Sequence, residues 1–494
     1  MLSRAMDHVQ FWIRDQLFIQ KLNTPLGFLG LSAVALALAY VIAMLGIKGG
    51  MLIFIATLAI PTLGACLFNP LIGICISVVM GILIGLLTKY ANLPFGLTLD
   101  GLLFIMFFGL LIRQVKERDL SFARSPVSVI ILIWVFYNLI QVLNPVAGSR
   151  LAWVFTVRTM AGLILLYFIA CEAMNSLKVI KFMVKFIIGM ALLSAFYGLK
   201  QEFFGFSAQE MVWLTADEKR YQLIVQWSRT RIFSFFSDPT NYGIFMAYMG
   251  TFCVVLATGP FSWIKRGILG AAALCMYAGM AFAGSRTPFV LVPFGLFIFT
   301  LMTLKKEIMI AMFGILLIGA VFVLKSTSNA VVYRIQSAFL LDKSDDTMNV
   351  RYTNQRLIRP FIYSHPFGAG LGSTGIWGKR FTPDSFLAKF PHDSAFVRVA
   401  VELGWIGLII FGVFLFVLIR TSLYYYLRVE DPVIKVIYLA ITVVIFMLTL
   451  ASYPQEAIPI LPTSVIFYTL LGIMVRLKDF DPRFKKEAEP PLSA

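Results

Sequence analysis

Apolar runs of about 18 or more residues recur along almost the whole chain, and they leave it few ways to fold. Each run is long enough to cross a hydrocarbon core of roughly 30 Å as a helix. In lipid only helices and closed barrels satisfy their own backbone hydrogen bonds. The runs here are continuous rather than alternating, so the chain reads as an all-α, polytopic integral membrane protein. Charge agrees: 14% of residues are Asp, Glu, Lys or Arg, whereas a soluble domain carries roughly 25%.

The sequence predicts about fourteen spans, near residues 26–45, 49–68, 70–88, 96–112, 126–144, 153–173, 183–199, 241–258, 267–284, 289–304, 308–325, 396–419, 434–453 and 460–475. Asn69-Pro70 and Asn144-Pro145 punctuate them. With residues 1–25 in the cytoplasm, the short basic clusters fall on the cytoplasmic side. These are Arg113 to Arg124, Lys178 to Lys185, Lys265-Arg266, Lys305-Lys306, Arg420 to Lys435, and the tail 476–494. That is the expected bias of Lys and Arg. It also accounts for the net charge of +17 without nucleic acid. Two polar intervals then lie outside: 200–240, and a large loop at 326–394 between spans 11 and 12. Spans 1–11 occupy 26–325 and spans 12–14 occupy 395–475. Residues 1–23 hold no short apolar core before a cleavage site, so the first span is expected to direct its own insertion. Trp12 and Phe18 fit a short interfacial helix there. No internal repeat of the transporter kind is visible.

Polar residues concentrate between Ser326 and Gly407. The five cysteines lie in apolar runs with no CxxC pair, which supports neither a disulfide framework nor a zinc site. No metal or cofactor is expected. Arginines on the outer side run against the charge bias. They either snorkel to headgroups or bind anions through a planar fork that matches phosphate oxygens. Candidates are Arg229 and Arg231, Arg286 in the Gly284-Ser285-Arg286-Thr287-Pro288 turn, and Arg351, Arg356 and Arg359 in the late loop. Arg158 lies within a span and must face the bundle or water. His392 precedes a helix start that Asp393 or Ser394 can cap, and the helix dipole favours its neutral form. A neutral imidazole is what a general base requires. His365 precedes a glycine-rich run, with Gly368, Gly370 and Gly372 permitting close backbone approach.

Four segments then resemble a known family. They are RIFSFFSDPTNYG (231–243), AGSRTPF (283–289), VRYTNQRLIRPFIYSHPFGAGLG (350–372) and PHDSAFVRVAVELGWIGL (391–408). Their order and spacing are similar to the O-antigen ligase and polysaccharide polymerase superfamily of bacterial envelope enzymes. The resemblance covers roughly residues 150–475. It implies an inner-membrane glycosyltransferase that needs no metal or nucleotide. It takes an undecaprenyl-diphosphate-linked glycan and transfers it to an acceptor hydroxyl on the periplasmic side. It also implies that Arg286, with Arg231 or Arg229, holds the diphosphate and that His392 activates the acceptor.

The ligase pattern is His, then Asn, Ser or Gln, nine residues, and GxxG. Here ten residues separate Asp393 from Gly404, so Gly404 and Gly407 fit the register only if it starts at Asp393. Either His392 or Asp393 is therefore the equivalent position. The departure leans toward a polymerase joining lipid-linked repeat units, with another glycan as acceptor. A ligase using lipid A core and a protein O-oligosaccharyltransferase remain the alternatives. A flippase would place charges at midplane in several spans. The sequence places its polar groups at the outer face instead.

Overall fold

The computed structural model describes residues 24–90, 95–117, 124–226, 229–324, 330–339, 346–391 and 394–488. Most of the expected cytoplasmic segment 1–25 lies outside these residues, including Trp12 and Phe18. The chain divides into two units after Ala65. The first holds α1 (Pro25–Leu45) and most of α2 (Ile47–Phe68). Thr24 caps α1 by accepting from the Gly27 N–H at 3.1 Å.

The second unit opens with α3 (Pro70–Tyr90), α4 (Phe95–Glu117), α5 (Pro126–Ile140), α6 (Arg150–Ala173) and α7 (Leu177–Phe204). Next come α8 (Ala208–Thr215), α9 (Glu218–Ile224) and an antiparallel hairpin of β1 (Val225–Gln226) and β2 (Arg229–Thr230). Four long helices follow: α10 (Pro239–Ala257), α11 (Trp263–Ala283), α12 (Arg286–Thr303) and α13 (Lys306–Leu324). The late polar interval forms α14 (Ala330–Phe339), α15 (Asp346–Ser364), α16 (Gly375–Phe381) and α17 (Phe386–Lys389). The chain ends with α18 (Ala395–Arg428), α19 (Pro432–Ala451), α20 (Thr463–Leu477) and α21 (Pro482–Ala488).

Local sequence sets many of these starts. Ser125, Ser149, Ser176, Asp238 and Asp431 each accept a hydrogen bond from a first-turn N–H. Pro126, Pro239 and Pro432 follow directly, where a missing N–H costs nothing. Among the described residues, 11 helices are long and apolar enough to cross a membrane. The other three predicted spans are helical too, as α2, α13 and α20. At 15 residues, α20 is the shortest.

The centre of the second unit is α10, which is apolar on all sides and buried on nearly all of them. It packs along α11, α12 and α19. Small residues permit the close approach, as where Gly243 lies against Pro288 and Gly250 against the Tyr277 ring.

The interval after α7, predicted as an outer loop, turns back into the protein. Ile232, Phe233, Ser234, Phe235 and Phe236 are all buried. Their backbone groups therefore need partners. The Gln201 side chain accepts from the N–H groups of Phe233 (3.1 Å) and Ser234 (2.7 Å). Lys89, at the end of α3, donates to the carbonyls of Ser234 (3.2 Å) and Phe236 (2.6 Å). Its ammonium also lies 4.1 Å from the Phe233 ring centroid. Lys89→Met should orphan the Phe236 carbonyl, whereas Ser234 O keeps Gln201 Nε2 at 3.3 Å, and destabilise the fold by about 1–3 kcal/mol. A lowered melting temperature of detergent-solubilised protein would show this. An unchanged one would mean that the Phe236 carbonyl finds another donor.

A second long-range contact shapes α18. At Gly404 the backbone leaves the helix, with φ 71° and ψ −177°. This frees several carbonyls, and each finds a partner outside α18. Val401 O accepts from Ala369 N (2.9 Å), Glu402 O from Gly370 N (3.0 Å), and Leu403 O from the Tyr137 hydroxyl (2.8 Å). In return Ile406 N donates to Pro366 O at 3.4 Å. Gln141 and Asn144 donate to Phe367 O at 3.2 and 3.0 Å, closing the loop from α5. The glycine-rich run and the ELGWIG segment thus form one backbone clasp.

Candidate functional site

A carboxylate in an apolar helix is expensive unless it is paired. Asp100 of α4 is such a residue, and it meets Arg158 of α6 at 3.3 Å. Their closest atoms, Arg158 Nε and Asp100 Oδ2, have no hydrogen-bond partner, so charge alone holds the pair. A second ionic group lies in α18. Arg398 is held between Glu402 (3.3 Å) and Glu456 (2.6 Å). Glu402 also accepts from the Thr374 hydroxyl and N–H, which ties α18 to the start of α16. Removing Arg398 would leave two carboxylates without their cation, at a cost of about 3–5 kcal/mol.

These groups surround a cavity of about 640 Å³. Arg158, Arg398 and Lys379 line it, as do Asp100, Asp238 and Glu456. Gly81 and Gly85 of α3 form part of its apolar wall, and Trp377 of α16 another part. Asp238 is engaged as the cap of α10, accepting from Asn241 N at 2.9 Å. Asp100 is thus paired by charge with Arg158, Glu456 accepts from Arg398, and Asp238 accepts from Asn241 N–H. The arginine forks reach the cavity with one edge already oriented. Among the described residues three cations and three carboxylates line the space, so an anion could bind only where Arg158, Lys379 or Arg398 offers an N–H that no carboxylate occupies.

Of the predicted site residues, Arg158 lines this cavity; Arg229, Arg231, Arg286, Arg356, His365 and Gly370 do not. Arg229 pairs with Glu202 and lies 5.7 Å from the Phe282 ring centroid. Arg231 donates to Ala283 O (2.9 Å), to Leu223 O (3.2 Å) and to the Ser285 hydroxyl. Burial pushes the Arg231 guanidinium down from its ordinary value, and Asp238 opposes this. Arg231 thereby fixes the turn that starts α12, and Arg286 sits exposed in the first turn of that helix.

His365 Nδ1 lies 2.8 Å from Ser364 Oγ, which can donate or accept, and 3.0 Å from Phe361 O, which accepts only, and its ring stacks on Phe361 at 4.1 Å. Gly370, at φ 88°, lies against Ala147 and donates to Glu402 O as part of the clasp. Arg356 is exposed on α15. The backbone of Arg351 belongs to α15, and its side chain lies outside the described residues. His392 and Asp393 also lie outside them. Their neighbour Ser394 is buried at the start of α18, and Ala395 N donates to Ser452 O at 3.1 Å.

Sequence reasoning missed Asp100, Lys379, Arg398, Glu402 and Glu456. One signal was available: an ionisable residue inside an apolar run is a functional candidate by default. Asp100 interrupts LTLDGLLF, and Arg398 and Glu402 stand one helical turn apart in VRVAVELG.

No curated protein matches the chain. Residues 271–412 match the family described as O-Antigen ligase. The matched segment contains the 283–286 turn, the clasp, Arg398 and Glu402. Asp100, Arg158 and Glu456 come to the cavity from outside it. Members of this family are glycosyltransferase-like ligases and polymerases, and the multi-pass helical architecture agrees with them. The match makes this segment similar to the O-antigen ligase and polysaccharide polymerase superfamily.

Proposed function

We propose that this protein is an envelope glycan polymerase. It moves an undecaprenyl-diphosphate-linked glycan onto a sugar hydroxyl at the outer face of the inner membrane. The observation that carries this reading is the cavity, where oriented arginines from two helices face space large enough for a diphosphate and its first sugars. In the reaction an acceptor oxygen bonds to the sugar C1, and the bond from C1 to phosphate oxygen breaks. Its electron pair stays on the lipid diphosphate, which gains negative charge as it leaves. Arg158, with Lys379 and Arg398, would oppose that charge in a site that needs no reorganisation. The acceptor proton passes to a base, for which His392 or Asp393 is the candidate. Ala395 and Arg398, just beyond them, line cavities at this end of α18. Arg286 contributes to donor binding from the turn that Arg231 fixes.

The test is gel analysis of envelope glycans from a deletion strain complemented with variants. Loss of the protein should leave single repeat units on the final acceptor. Either His392→Ala or Asp393→Ala should reproduce that loss while donor binding persists. Arg286→Lys should impair output, because a point charge does not replace the fork. Wild-type output from all three variants would remove these residues from the mechanism. Long chains stranded on the lipid carrier would instead mean a ligase or a protein glycosyltransferase. Unchanged glycans in the deletion strain would overturn the enzymatic reading and favour transport.

A further inference from the structure

The segment GIWGKRF spaces Trp377 and Phe381 four residues apart, so both fall on one face of α16. That face meets Phe155 of α6. Phe155 stacks on Trp377 with centroids 4.6 Å apart and on Phe381 at 5.5 Å. Trp377 and Phe381 are 6.2 Å apart, and their planes differ by 19°. Two guanidiniums lie against the stack. Arg158 lies 5.9 Å from the Phe155 centroid on the cavity side. Arg380 lies 5.9, 6.0 and 5.6 Å from Phe155, Trp377 and Phe381. None of the three rings is fully buried, so they are not core filling. Trp377 lines the cavity, with Lys379 beside it. An interfacial anchor would turn its ring toward lipid; this one faces the chamber that holds Arg158.

We propose that Trp377, backed by Phe155 and Phe381, is a carbohydrate-stacking subsite that takes the apolar face of a pyranose near the diphosphate. This rests on the reading of the cavity as the place of a lipid-linked glycan donor. A pyranose presents axial C–H bonds on one face and hydroxyls around its edge. The C–H face suits the negative face of an aromatic ring. The hydroxyl edge suits donors without acceptors, and Lys379 and Arg380 are such donors. Arg158 lines the cavity, and Lys379 and Arg380 are exposed beside the stack, so a glycan held by its diphosphate and stacked on Trp377 would meet these donors as it leaves the cavity.

The experiment compares two probes on the purified full-length protein in lipid nanodiscs. One is undecaprenyl diphosphate carrying the strain's own repeat unit; the other is undecaprenyl diphosphate without sugar. Wild type should bind the glycan-bearing carrier more tightly. Trp377→Ala should weaken that binding about 10-fold and leave the bare carrier unchanged. Trp377→Phe should restore most of the loss. Equal weakening for both carriers would show that Trp377 only shapes the cavity, and would overturn the subsite. Equal affinity of wild type for both carriers would overturn it too. If wild type binds neither carrier, the donor reading of the cavity itself fails, and the subsite fails with it.

Discussion

Arg158→Lys should lower the rate of glycan transfer by about 100-fold, the scale seen when one fixed donor to a developing anion is removed. Lysine keeps the positive charge opposite Asp100, so the pair survives and the fold is little disturbed. What is lost is the planar fork, which donates in two directions at once. Alanine would be a poorer test. It leaves the buried Asp100 carboxylate without its cation and confounds catalysis with stability. The assay is transfer of labelled repeat units by purified protein, with donor binding measured alongside. A drop in turnover with little change in donor affinity places Arg158 at the leaving group. Turnover at the wild-type rate would take the guanidinium out of the chemistry.

Gly404→Ala should unfold the region around the clasp. The backbone there has φ 71° and ψ −177°, a combination open almost only to glycine. An added Cβ would also overlap Pro366 O and the Gly368 backbone. Neither neighbour is the free end of a side chain, and Pro366 O is held by Ile406 N. Strain and overlap together should cost about 3 kcal/mol or more. Low yield of monodisperse protein on size exclusion in detergent, with loss of glycan output, is the expected result. Gly412, eight residues further along the same helix, is the control, since a Cβ there would meet nothing within 4 Å. Gly412→Ala should behave as wild type. A Gly404→Ala protein with a wild-type melting temperature would mean that the helix does not break at this position.

The spans were legible because a run of apolar residues carries its own meaning in lipid, whatever lies elsewhere in the chain. Prolines marked where spans break, as at Asn69-Pro70 and Asn144-Pro145. The interval 231–238 was not legible as a buried element. Its burial depends on Gln201 and Lys89, which lie outside it and supply its missing hydrogen bonds. The outer arginines were found as exceptions to a charge rule, but a rule about sides cannot say which cation faces a cavity. Arg158 was recognised as costly, whereas its partner Asp100 was passed over. Arg398 and Glu456 sit 58 residues apart, so no local spacing announces their contact. The glycines at 368–372 were read as room for a ligand. In the structure their closest neighbours belong to the protein itself: Glu402, Gly404, Ala147, Ala152 and Thr156.

The clasp has an evolutionary consequence. Its bonds between the 366–370 loop and the broken helix run from main chain to main chain, so side-chain exchange elsewhere does not rewrite them. The residues that line the cavity from this part of the protein, Trp377, Lys379 and Arg398, project from the pieces the clasp joins. On the proposed reading of the cavity, a lineage could alter which sugar it accepts by exchanging lining side chains while the scaffold keeps its shape. Frame and vocabulary are separable, and one architecture can then serve enzymes that differ only in what they join.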